Sequence, residues 1–207
     1  MRRHENYSLL RHNTFGMDVR AALFFQYDTV EELRNILLSD DFTRRERFIH
    51  IGSGSNLLFE GDYKGVIMHS AIRTLEVTEE TDEHVLVRVG SGYVWDDFVA
   101  HCVAQEWAGV ENLSAIPGEV GASAVQNIGA YGVEVKDIIR KVYCYDTVEE
   151  EFVNFDVSEC EYGYRDSIFK DPEVKGRYIV THVVFALSRT PQPRLEYGHL
   201  RDAVMAS

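Results

Sequence analysis

The run from Ile116 to Gly132 holds four glycines and, apart from Glu119, no charge. Glycine lacks a Cβ and enters positive φ at no steric cost, so such a run can bend sharply and aim successive N–H groups at one flat or anionic surface. Gln126 and Asn127 add side-chain amides that can both donate and accept. On the run alone two readings stay open: a loop that cradles a ligand, or a tight crossing where missing side chains let packed backbones approach. A second glycine bend, Gly52-Ser53-Gly54-Ser55-Asn56, follows the apolar run Phe48–Ile51. It can offer several N–H groups to a pyrophosphate. It is not the dinucleotide fingerprint, because Leu57-Leu58-Phe59 continues as an extended apolar run where that motif opens a helix.

Charge limits what such bends can hold. The formal net charge is −13, which disfavours the clustered Lys and Arg that grip nucleic acid. An anionic ligand must then be held by local N–H groups and a few placed arginines, not by the overall field. The 207 residues suffice for one or two domains and for burying roughly 70% of the unfolded chain's surface, so a core needs no disulfides. Cys102, Cys144 and Cys160 are odd in number and widely spaced. They fit neither a disulfide framework nor a metal-binding spacing and read as reduced thiols of a cytosolic protein, with no metal expected. Met1-Arg2-Arg3-His4 is followed by no apolar stretch, and no run approaches the length that spans a bilayer. A cytoplasmic protein without membrane or nucleic-acid partners is expected.

Along the chain, Phe24–Tyr27 reads as a strand. Thr29 and Glu32 have capping-box spacing, and Val30, Leu33, Ile36 and Leu37 repeat at helical period to about Ser39. Phe48–Ile51 is a second strand, with the glycine bend at its C-terminal end, and Gly65–Met68 a third. Thr74–Thr78 and Val85–Gly90 read as strands joined by a solvated acidic tip, Glu79–Glu83. Tyr93–Glu106 is an amphipathic helix carrying His101, which reads as an ordinary satisfied histidine. Leu113–Gly132 reads as loop. Ile138–Tyr145 and Glu151–Phe155 read as paired strands, Asp156 and Glu159 as the cap of a short helix, and Tyr178–Leu187 as a long β-branched and aromatic strand. A boundary near His69 divides a small α/β unit, 1–68, from a larger sheet unit, 69–200.

Five blocks recur together: Asn13-Thr14-Phe15-Gly16, the bend at 52–56, the run 116–132, Tyr162-Gly163-Tyr164-Arg165-Asp166-Ser167-Ile168-Phe169, and Leu195-Glu196-Tyr197-Gly198. In this order and spacing the chain resembles the UDP-N-acetylenolpyruvoylglucosamine reductase (UDP-N-acetylmuramate dehydrogenase) family, flavoenzymes of peptidoglycan precursor synthesis. The resemblance runs from about Asn13 to Leu200. It implies an α+β, two-domain FAD-binding fold of the vanillyl-alcohol-oxidase/p-cresol methylhydroxylase type, with a small α/β domain and a larger mixed or antiparallel sheet domain. It also implies FAD as cofactor, NADPH as hydride donor and a UDP-sugar enolpyruvyl ether as substrate.

The resemblance assigns roles residue by residue. Gly52, Gly54, Ser55 and Asn56 hold the FAD pyrophosphate, while Ile116, Gly118, Ser123, Asn127 and Gly129 line the flavin ring and ribityl chain. Arg165 is catalytic, its planar fork of donors suited to negative charge developing in a dry site. Without the resemblance an Arg165–Asp166 surface pair or a bridge to the glycine run is the plainer reading. Tyr131, Tyr164 and Tyr197 contact substrate. Two departures accompany these matches. Glu119 stands where a small or thiol residue is usual, an unwelcome charge near a flavin or pyrophosphate unless it points to solvent, and Ala124 stands where Pro or an Ala-like residue occurs. The family's serine proton donor and second catalytic glutamate have no counterpart before Ser207. The resemblance therefore implies an N-terminal, FAD-binding portion, with 201–207 the start of a linker. Two rivals stand beside it. One is a non-catalytic module holding flavin or a UDP-sugar in the same cleft. The other is a flavin oxidase of the same superfamily, disfavoured because Ile116–Gly132 contains no His or Cys for covalent attachment.

Overall fold

The structure, a computed structural model, describes residues 1–43, 47–191 and 194–205. The first sheet has four strands in the order β1-β2-β4-β3. β1 (Arg2–Ser8) lies antiparallel to β2 (Arg20–Tyr27), and β2 and β3 (Phe48–Ile51) flank β4 (Tyr63–Ser70) in parallel. Helix α1 (Val30–Leu37) makes the crossover from β2 to β3. Thr29 caps it, its hydroxyl accepting from Glu32 N at 3.1 Å, while the Glu32 carboxylate reaches back one residue further than a standard capping box, to Asp28 N at 2.8 Å. Its apolar stripe, Leu33, Ile36 and Leu37, packs on Leu23, Phe25 and Met68 of the sheet. A four-residue helix, α2 (Asp40–Thr43), follows.

The second sheet, β10-β9-β11-β6-β5, is antiparallel throughout. β5 (Leu75–Glu80) and β6 (His84–Gly90) form one hairpin, β9 (Ile139–Asp146) and β10 (Glu151–Asp156) another, and β11 (Tyr178–Ser188) joins them, while β7 (Gly129–Ala130) and β8 (Val133–Glu134) pair antiparallel as a separate two-stranded ribbon. Alternate residues of β6 (Val85, Val87, Val89) and β11 (Val183, Phe185, Leu187) are buried, as a sheet with one covered face requires. Helix α3 (Trp95–Ala104) supplies the cover, with the Phe98 and Phe185 rings tilted against each other at 4.8 Å and Trp95 Nε1 donating to Leu113 O at 2.8 Å. The sheets share a core, since Tyr145 and Ile179 of the second pack in one cluster with Leu23, Phe25 and Leu33 of the first.

The strands expected from alternation and β-branched composition are present within a few residues of their expected ends. The capping pair Asp156–Glu159 opens a single 3-10 turn, Val157–Glu159, with both capping bonds made. Besides the short α2 and the β7–β8 pair, two elements were not legible. β1 has an exposed, charged surface with no alternation. Helix α4 (Val120–Gln126) lies inside the run read as loop. The linker expected at 201–207 contributes a short helix, α5 (Leu200–Met205), and its last two residues lie outside those described. Among the described residues no helix is long and apolar enough to cross a membrane, and no cluster of His, Cys, Asp or Glu is arranged to hold a metal. All three cysteines are buried free thiols.

Candidate functional site

β3 delivers the bend Gly52–Asn56 to the end of the first sheet, and the glycine run meets it there. Ser55 Oγ donates to Pro117 O at 3.1 Å. Among the described residues the backbone N–H groups of Ser53, Gly54, Ser55 and Asn56 meet no acceptor in the chain. Gly54 has φ +75°, and a Cβ on it would lie 1.9 Å from His12 O, so this glycine serves a backbone crossing. Gly118, at φ +145°, would meet only Ser55 Oγ, at 3.6 Å, so the space its side chain would fill is open. The close-crossing reading therefore holds at Gly54, while Gly118 stands beside open space.

The run is pinned from behind. Trp95 N donates to Gly118 O at 3.0 Å, Val120 N to Tyr93 O at 2.9 Å and Gly121 N to Ser91 O at 2.9 Å. A Cβ on Gly121 would sit 2.7 Å from Ser91 Cβ, so α4 is built of small residues to pack closely on the segment before α3. Asp96, at the start of α3, accepts from Ala115 N at 2.7 Å and Ser114 Oγ at 3.2 Å. α4 then carries the chain ~10 Å from the first bend, at the ordinary rise per residue, to a second polar cluster.

That cluster is organised by Asn127, left-handed at φ +43°. Its Nδ2 donates to Gly163 O at 2.7 Å and to Glu134 at 3.2 Å, and its Oδ1 accepts from Lys136 N at 3.2 Å. The sequence suggested an amide free to reach a ligand. The structure instead spends it on tying the end of α4 to the 162–169 segment. Ser123 is buried likewise, its hydroxyl donating to Val120 O at 2.7 Å. Gly163 and Asp166 exchange backbone hydrogen bonds, leaving Tyr164 and Arg165 at the tip of a tight turn. Arg165, also left-handed at φ +54°, donates from Nη2 to Gly129 O at 3.0 Å. It therefore bridges to the glycine run and does not pair with Asp166. The turn is anchored by Ser167 Oγ donating to Val125 O at 2.7 Å, an anchor with no sequence signal. Beside Arg165, the Lys136 ammonium holds the Glu134 carboxylate below its usual range, aided by Asn127.

Tyr131, Tyr164 and Tyr197 are all exposed, Tyr164 by 86%. The Tyr131 and Tyr197 rings meet edge to face at 6.1 Å, and Tyr197 lies over Gly132, so this pair forms one rim. Ile116 is half-buried against the core under the run.

Glu119 does not point to solvent. It is 5% exposed, and its Oε1 accepts from His69 Nε2 at 2.9 Å. Its other oxygen lies 3.2 Å from where a Gly52 Cβ would be. The departure from the family pattern is thus accommodated by a buried partner fifty residues earlier in the chain.

The first bend carries backbone amides without an acceptor among the described residues, close to the open space beside Gly118, and the second polar cluster lies ~10 Å away along α4. Comparison with known proteins gives the chain its class. Residues 21–153, more than half of the chain, match the family model described as "FAD binding domain", and the chain belongs to this family. Its curated relatives narrow the resemblance. The chain is 57% identical over 197 residues to UDP-N-acetylenolpyruvoylglucosamine reductase of Bacteroides fragilis (strain YCH46), covering 95% of this chain and 58% of the relative. It is 44% identical over 196 residues to the same-named protein of Neisseria gonorrhoeae (strain ATCC 700825 / FA 1090), covering 95% and 56%. The chain therefore spans a little more than half the length of these relatives. Among solved structures, the UDP-N-acetylenolpyruvylglucosamine reductase of Thermus caldophilus aligns with TM-score 0.72 at 22% identity, covering 99% of this chain and 68% of that one. A p-cresol methylhydroxylase with substrate bound aligns with TM-score 0.57 at 13% identity, over 82% and 36%. At these identities the structures speak to fold alone, an α+β fold shared by all three chains.

Proposed function

We propose that this chain is the FAD-holding portion of a cytoplasmic reductase that uses NADPH to reduce the enolpyruvyl ether of a UDP-N-acetylglucosamine, a step of peptidoglycan precursor synthesis. The observation that carries the reading is the convergence of two glycine bends at Ser55–Pro117, joined by α4 to the turn that carries Arg165. The first sheet and the second form the two walls of the cofactor crevice, with the division near His69.

In this reading Ser53–Asn56 and Gly118 hold the pyrophosphate through backbone amides, and the α4–Gly129 segment lies along the ring and ribityl chain. Asn127 and Ser123 act by fixing that segment. FAD, when bound, supplies the hydride chemistry. Arg165 orients the enolpyruvyl carboxylate and stabilises the negative charge that develops on it, from a guanidinium already directed by Gly129 O. Tyr131, Tyr164 and Tyr197 contact the UDP-sugar at the rim.

The test is reconstitution. The purified chain, mixed with FAD and desalted, should be yellow and release intact FAD on denaturation. The complete reductase should consume NADPH only when the enolpyruvyl UDP-sugar is present. A folded chain that takes up no FAD would overturn the reading. Flavin binding without turnover in the complete protein would favour a non-catalytic binding module.

A further inference from the structure

The buried His69–Glu119 pair belongs to a longer chain of hydrogen bonds. Arg2 Nη1 donates to Gln26 Oε1 at 2.5 Å, and Gln26 Nε2 meets His69 Nδ1 at 3.1 Å. Because Arg2 fixes the Gln26 oxygen, the Gln26 amide must donate to Nδ1. The imidazole is then neutral, with its proton on Nε2, donating to Glu119 Oε1. A carboxylate remains, 6% exposed in its side chain, with one oxygen against Gly52 and little else to compensate it. A buried pair of this kind is costly to keep.

The other groups around it do not neutralise it. His12 lies edge-on to the His69 ring at 5.0 Å and is lowered to about 4, by burial and then by His69. His50, bonded to the Tyr27 hydroxyl at 2.7 Å, is lowered to about 3 by the same two causes. Both are therefore neutral at physiological pH. Tyr27 is raised by burial and remains protonated. Ser70 and Ser91 bond each other at 2.7 Å. Arg2 is exposed and a glutamine away.

We propose that His69 and Glu119 form a proton-linked positioning pair: docking of a pyrophosphate on the Gly52–Asn56 bend draws one proton from solvent onto His69 Nδ1. This rests on the proposed FAD site. Two like charges within ~4–6 Å disfavour one another, so a dianion on the bend favours the state in which Glu119 faces an imidazolium. The proton comes from buffer, adds to the free lone pair of Nδ1 and breaks no covalent bond. Gln26 accommodates it by turning its amide, so that Oε1 accepts from Nδ1–H. Arg2 is then released to Asp28, which already lies 3.7 Å from its guanidinium. Glu119 and His69 touch no reacting atom.

Titration calorimetry of FAD into the full chain tests this, run from pH 6 to 9 in buffer pairs of different ionisation heat. Net proton uptake is expected, with FAD affinity falling as pH rises by up to about tenfold per unit, the limit for one coupled proton. Riboflavin, which lacks phosphate, should show no uptake. Glu119→Gln keeps an acceptor for His69 Nε2 while removing the charge, so it should bind FAD with little pH dependence and more tightly than the wild type at pH 9. If that variant does not fold, the double variant His69→Asn, Glu119→Gln removes both titrating groups while keeping a donor facing an acceptor, and carries the same expectation. Wild-type binding without proton uptake, or uptake that persists in these variants or with riboflavin, overturns the inference. Absence of FAD binding at every pH overturns the parent reading instead.

Discussion

Arg165 Nη2 and Gly129 O meet at 3.0 Å across thirty-six residues of sequence. This bond aims a guanidinium from a left-handed turn along the glycine run. Lysine retains the charge but not the fork. Arg165→Lys in the complete reductase is expected to lower kcat by about 10²–10³, the cost of losing one preorganised donor, while FAD affinity stays unchanged. Steady-state kinetics beside a flavin titration checks this, and unaltered turnover would make Arg165 a structural residue.

The glycines of the two bends should respond differently to alanine. Gly54→Ala places a Cβ 1.9 Å from His12 O at positive φ. The expected loss is about 3 kcal/mol or more of unfolding free energy, since backbone cannot yield as a side chain can. Gly118→Ala has open space and only the strain of φ +145°, so a loss of about 1–2 kcal/mol is expected. That same substitution fills the cradle and should abolish FAD binding. Chemical denaturation and flavin titration of both variants separate the two roles.

Asp146 is 2% exposed and ends β9. Burial alone would raise its pKa, but three hydrogen bonds from Arg177 at 2.7, 2.9 and 3.0 Å and the N–H groups of Val148 and Glu149 together bring it below the ordinary value. A depressed folded pKa contributes stability that is present above the unfolded value, near 3.8, and lost as pH falls through the folded one. Asp146→Asn should cost about 1.5–3 kcal/mol at pH 7, the range for hydrogen bonds to a charged group, because Arg177 is itself 32% exposed in its side chain. The difference from wild type should shrink below pH 4. Urea melts at pH 7 and pH 3.5 check the sign.

The three thiols should be inert in the native protein. Burial pushes Cys102 up to about 12 and Cys160 up to about 11, and Cys144 well above its ordinary value. Labelling by an aromatic disulfide at pH 8 is expected to run at least about 100-fold slower than for a free thiol peptide, because only the thiolate attacks. All three should react at once in denaturant. Rapid labelling of one native thiol would disprove the packing around it.

Legibility in the sequence followed how each element earns its stability. β3 and its bend were readable because an apolar run ends in glycines, and Thr29 and Asp156 because capping is a local bond. β11 was readable because its β-branched and aromatic residues form a long run with strong strand preference. α4 was not, since its helical period disappears when most of the buried face is made of the small residues Gly121, Ser123 and Ala124 and the whole segment reads as flexible. β1 was hidden because its strand character comes from pairing with β2, not from its own exposed charges. At the site, residue types pointed to the two bends, whereas Arg165 was singled out only by the family resemblance. The buried partner of Glu119 was beyond reach, since nothing in the neighbourhood of either residue names the other across fifty positions.

Because α4 is a helix and not a pliable loop, the spacing between the two ends of the cradle is counted in whole residues. One added amino acid there would advance everything beyond it by about 1.5 Å and swing it by about a third of a turn, carrying Asn127 away from Gly163 and Arg165 away from its acceptor. Evolution can repaint the surfaces around this strut, but lengthening or shortening it by a single position would dismantle the alignment at one stroke.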